Sequence, residues 1–222
     1  MKNQSNFLLT TALALSLLMN GITTAAAQDF KARDQGPSQE QMLVRSDGNI
    51  QGMAFFRPVL SGVLYRAGFS GGDKSHTGLS AVQRQDLCKA GFSNAFYVDF
   101  GTNTDFNSTD CADNQLDYHK ANSTSTHEAL KVIHDIIKNP SKGPALVHCM
   151  WGVHSSGSVA AMALVQFCGW SETQAKSYWE KARNNANCSG GCDKWIDGKF
   201  KQFKVDPTLA ISSEEQQRIC PK

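Results

Sequence analysis

Residues 147–157 read VHCMWGVHSSG, and this is the segment whose residue types and spacing are best suited to chemistry. Cys149 follows a short apolar run, Pro144 to His148, that reads as a strand. A loop containing Gly152 comes next, and from Ser155 to about Cys168 the chain reads SSGSVAAMALVQFC, a helix with almost no polar side. A buried strand that turns through a tight loop into a buried helix makes backbone N–H groups converge, and the helix N-terminus adds positive potential. The product is an anion cradle. A cysteine at the mouth of such a cradle is favoured as a thiolate, and therefore as a nucleophile. Other readings of Cys149 stay open on the residues alone, as an inert buried thiol or as a disulfide partner.

The segment resembles the phosphate-binding loop of cysteine-dependent protein tyrosine and dual-specificity phosphatases, whose signature is His-Cys, five residues, Arg, Ser or Thr, Gly. His148, Cys149, Gly152, Ser156 and Gly157 stand in matching places. SGVLYRAGFS at 61–70 looks like the opening strand of the compact branch of that superfamily. EALKVIHDIIKNPSKGPALVHC looks like the helix and strand that feed the loop, and FCGWSETQAKSYW like the helix turn after it. The resemblance covers residues 58–182. It implies an α/β fold of protein-tyrosine-phosphatase type, with a short central sheet flanked by helices. It also implies that Met150, Trp151, Gly152, Val153, His154, Ser155 and Ser156 bind the anion, with Met150 and Trp151 facing outward. His148 and Gly157 support the loop.

The departure from the signature is Ser155, which stands where the family arginine falls. That arginine grips phosphoryl oxygens through two parallel hydrogen bonds and a fixed charge. Its loss removes roughly 3–4 kcal/mol, by analogy with deletion of an oxyanion donor. His154 offers one donor, or a charge when protonated, but not a fork. The family also takes a general acid from a separate loop upstream; Asp117 has suitable spacing, although it can equally lie within a strand. The expected function is therefore an exported phosphatase-like protein that binds phosphate or a related oxyanion, with weak or no classical phosphatase activity. Two alternatives are an active phosphatase working through a cysteinyl-phosphate and a thiol-redox protein. The expected partners are a phosphorylated small molecule or protein, or a free oxyanion, and no cofactor is called for.

The elements that position this loop can be read around it. Residues 59–67 look like a strand or hairpin, Thr77 to Ala90 a helix, and Asn94 to Phe100 a strand. Residues 101–115 look like a long surface loop, Leu116 to Lys120 a short strand. Ala129, Leu130, Ile133, Ile136 and Ile137 form the apolar stripe of a further helix. Strands that alternate with helices argue for an α/β sandwich.

At the N-terminus a lysine precedes the apolar stretch Phe7 to Met19, and Ala25-Ala26-Ala27 supplies a cleavage site. This predicts a signal peptide over residues 1–27, a weakly structured arm over 28–57, and one domain over 58–222 with a cysteine-containing tail. The apolar run is too short for a comfortable span, so no stable membrane insertion is expected. Periplasmic or secreted localisation follows. The 22 basic and 20 acidic residues leave a near-neutral chain without a basic patch, which argues against nucleic acid as a partner.

Seven cysteines fit an oxidising compartment. Cys88, Cys111, Cys168, Cys188, Cys192 and Cys220 are the disulfide candidates, with Cys149 left free and connectivity unreadable. Cys168 is the weakest of the six, because it sits in an apolar helix. No metal is expected. Cys188 and Cys192 lack a second close pair or a nearby histidine, and His119, His127 and His134 show no common ligand spacing.

Overall fold

The computed structural model describes residues 37–38, 42, 50, 53–69, 78–99, 105–120, 126–183 and 191–222. The expected signal peptide, most of the arm, and Cys188 lie outside the described residues.

Strand β1 (Met53–Leu60) turns tightly into β2 (Leu64–Phe69), and helix α1 (Ala81–Lys89) follows. Next come β3 (Asn94–Tyr97), β4 (Thr109–Cys111), β5 (Asn114–Lys120) and helix α2 (Thr126–Lys138). Strand β6 (Ala145–His148) leads through the cysteine loop into α3 (Ser155–Cys168), then α4 (Glu172–Arg183), α5 (Cys192–Gln202) and α6 (Ser213–Ile219). The six strands form one sheet in the order β1-β2-β6-β3-β5-β4. The four inner strands are mutually parallel, and the two edges pair antiparallel. The architecture is thus mixed α/β, a central sheet flanked by helices.

Each face of the sheet has its own core, and strand alternation assigns residues to them. Ala145 and Val147 of β6 join Phe96 and Leu64 against α2, α3, α4 and α5. Leu146 faces the other way, with Tyr65, Ala95 and Tyr97, against Leu87 and Cys88 of α1. Helix α3 is buried on nearly every side, as its composition predicts. In α2 the five residues of the predicted stripe are the five that are buried. Helix α1 starts later than expected because Ser80 and Gln83 close a capping box, which fixes the first turn at Ala81.

Several boundaries differ from the sequence reading. β1 begins at Met53, inside the expected arm, because its backbone finds a partner in β2 that no local pattern announces. Met42 and Ile50, from the same stretch, are buried in the two cores. The expected loop 101–115 contains β4 and the start of β5, which pair as a hairpin through Thr109, Asp110 and Cys111. The strand from Asn94 ends at Tyr97.

Two disulfides are resolved among the described residues. Cys88–Cys111 ties α1 to β4, and Cys168–Cys220 ties the end of α3 to the end of α6. Cys192 is also disulfide-bonded. Cys168, the weakest candidate, is therefore a bridge and not a core thiol: helix α6 brings Cys220 back beneath it. Among the described residues Cys149 is the free cysteine.

Candidate anion-binding site

β6 lies between β2 and β3, parallel to both, so the cysteine loop leaves the sheet at the carboxyl ends of its central strands. Open α/β sheets place ligands at this edge. The loop is moored to both neighbours: Cys149 N–H donates to the Ala67 carbonyl at 3.4 Å, and Val98 N–H donates to the His148 carbonyl at 2.9 Å. Gly152, at φ +62°, lies backbone to backbone against Gly68, so close that a Cβ on either would overlap the other's main chain. Both positions need glycine for that reason.

Cys149 is only 3% exposed, and its Sγ lies 3.4 Å from the Ser156 Oγ, which can donate to a thiolate. His148 is fully buried. The Tyr118 hydroxyl accepts the Leu79 N–H at 2.8 Å, which leaves its own proton for His148 Nε2 at 3.1 Å. Burial pushes the His148 pKa down to about 3, so its imidazole is a neutral brace. Burial also pushes Tyr97 and Tyr118 upward; Asp99 and Cys149 add to the rise at Tyr97, whereas the Leu79 N–H and Arg84 oppose it at Tyr118.

The loop carbonyls decide where its amides point. Arg66 Nη2 donates to the Gly152 carbonyl at 2.9 Å and to the Val153 carbonyl at 3.0 Å. Trp179 Nε1 donates to the His154 carbonyl at 3.1 Å. In a planar trans peptide the C=O of one residue opposes the N–H of the next. Three consecutive carbonyls held on the α4 side thus turn the N–H groups of Val153, His154 and Ser155 to the opposite side. None of these three donates to another of the described residues. Helix α3 adds its first turn, where His154 is the N-cap residue and makes no side-chain cap.

The arrangement brings together Cys149, Ser156, His148, Gly152, Val153, His154, Ser155 and Gly157. Gly157 is a third crowded glycine: a Cβ there would sit 2.7 Å from Arg66 Nη2 and 2.9 Å from Trp179 Cδ1, so those two side chains would have to shift. Met150 does not face outward: it is 8% exposed, while Trp151 at 42% does face solvent. Met150 N–H is held by the Asp99 carboxylate at 3.2 Å. The His154 ring is half-buried, and burial followed by Arg183 pushes its pKa down, against the pull of Asp99. It therefore stands in the loop as a neutral ring, not as a replacement cation.

Asp117 is not part of the site. It opposes Asn94 in β3, and Asn94 in turn opposes Ala145, the first residue of β6. That is three residues, or about 10 Å, short of the row that holds His148. Its carboxylate accepts from Ser108 Oγ at 2.8 Å instead. The sequence reading missed Arg66, Trp179 and Asp99. Arg66 left one signal, a charged residue at an inward position of an alternating strand; the other two were hidden by the distance of their contacts along the chain.

No family model matches the chain, and no curated protein does. Among solved structures that match, one titled "Crystal structure of Tk-PTP in the active form" is 12% identical, with a TM-score of 0.38, over 64% of this chain and 94% of that chain. A likeness at that level carries no argument about chemistry, and what stands is the strand order itself, a mixed α/β arrangement of a central sheet between helices.

Proposed function

We propose that this protein binds phosphate or a phosphate-like oxyanion at residues 149–156, as an exported phosphatase-like protein with weak or no classical activity. The observation that carries this reading is the set of three loop amides, Val153 to Ser155, turned away from their tethered carbonyls and left without partners beside Cys149. N–H groups that lead into a helix have no intrahelical partner and are ready donors to an anion. An anion there satisfies them and lies on the α3 N-terminus. The weak activity follows from Ser155, which brings no guanidinium to the phosphoryl oxygens, and from the position of Asp117 far from the loop. Paired cysteines support an oxidising compartment.

Any residual hydrolysis would run through Cys149. Its thiolate attacks phosphorus, an S–P bond forms as the P–O bond breaks, and the leaving oxygen takes its proton from water. A second water then splits the S–P bond and releases inorganic phosphate and the thiolate. The test is isothermal titration with inorganic phosphate, together with hydrolysis of an aryl phosphate by wild type and Cys149→Ser. The expected result is saturable phosphate binding with slow turnover that Cys149→Ser abolishes. Absence of saturable binding would refute the reading. Brisk turnover that depends on Cys149 would instead support the fully active alternative.

A further inference from the structure

We infer that Arg66 is the positioning residue of the loop, holding its amides in their anion-binding orientation and supplying from behind part of the charge that Ser155 does not supply in front. The inference rests on the oxyanion reading above. Arg66 is fully buried in β2, on the face packed against α3 and α4. Among the described residues no carboxylate pairs with it. Its contacts are the two loop carbonyls, the Tyr178 hydroxyl at 3.1 Å from Nη1, and the Tyr178 ring. A buried guanidinium without a counter-ion is costly, and two neutral carbonyls only partly offset that cost. A bound anion on the far side of the same peptides completes the compensation through the loop's own dipoles. Burial and then Arg183 lower the His154 pKa most, and Arg66 acts in the same direction as the smallest contribution.

The seat is built for this one side chain. Gly157 lacks a Cβ where Arg66 Nη2 needs the space, and the Trp179 indole holds the next carbonyl in the same direction. With Arg66 gone, the peptides after Gly152 and Val153 lose their tethers and are free to turn their carbonyls inward, toward the anion.

The test is a titration of isotopically labelled full-length protein with inorganic phosphate, followed through the backbone amide signals of Val153, His154 and Ser155. Wild type should show saturable shifts at all three. Arg66→Met, close in volume but without charge or donors, should bind at least tenfold more weakly and lose those shifts, while signals from α2 and α5 stay in place. Gly157→Ala keeps the charge but displaces it from its seat, and should lose affinity as well. Arg66→Lys should recover part of the loss. If Arg66→Met does not fold, Gly157→Ala and Arg66→Lys carry the test. Folded variants that bind phosphate within twofold of wild type, with the three amides shifting as before, overturn the inference and leave the functional reading intact. A wild type without phosphate-dependent shifts overturns both.

Discussion

Gly152→Ala tests whether the loop's close approach to β2 is what shapes the site. The residue is at φ +62°, and an added Cβ would meet Gly68 N at 2.5 Å, Ala67 C at 2.7 Å and Gly68 Cα at 2.9 Å. All three are main-chain atoms, so no side chain can swing aside. The left-handed conformation costs an alanine about 1–2 kcal/mol. Forcing the two backbones apart in a packed region costs about 1–3 kcal/mol more. The expected destabilisation is therefore about 2–5 kcal/mol, or a fall in Tm of about 5–15 °C for a domain of this size. Gly198→Ala is the matched control: it lies inside α5 with no atom within 4 Å of its built Cβ. Alanine there should stabilise by about 0.5–1 kcal/mol. The assay is urea unfolding with the disulfides intact, paired with phosphate titration of each folded variant. A Gly152→Ala protein as stable as wild type, with unchanged phosphate affinity, would refute the reasoning.

Two further outcomes are expected. Ser155→Arg places a guanidinium at the first residue of α3, where Ser155 is half-exposed, and should raise kcat/KM on an aryl phosphate by at least tenfold; a gain that persists in Ser155→Arg with Cys149→Ser would exclude the thiolate mechanism. His148 gives stability a definite pH dependence: its folded pKa of about 3 lies below the free value of about 6.5, so the unfolded chain takes the proton first as pH falls. That contribution is fully present above about pH 6.5 and is lost toward pH 3, at up to about 1.4 kcal/mol per unit. His148→Gln should flatten this part of the urea-derived stability profile, and parallel profiles for the two proteins would show that His148 does not titrate as described.

Residue order alone reveals mostly what is contiguous. The strand, loop and helix from Ala145 to Cys168 are adjacent in the chain. Their hydrophobic runs and the glycine between them were enough to mark the segment, and the α2 stripe followed from its 3.6-residue period. Among the described residues Cys149 is the free thiol, as expected, but the partners of the other cysteines are decided by helix placement. Cys220 reaches Cys168 only because α6 folds back along the end of α3. The edge strands β1 and β4 exist through pairing, and neither shows its partner in its own residues. The site's orientation is likewise tertiary. Arg66, Asp99 and Trp179 are 86, 51 and 25 residues from the loop atoms they hold, so no local spacing joins them to it. Asp117 is the converse case: its distance along the chain suited an acid, but the register of β5 against β3 sets it at the far end of the sheet. Sequence spacing measures length along the chain, whereas a carboxylate's reach to the loop depends on which end of a parallel strand it occupies.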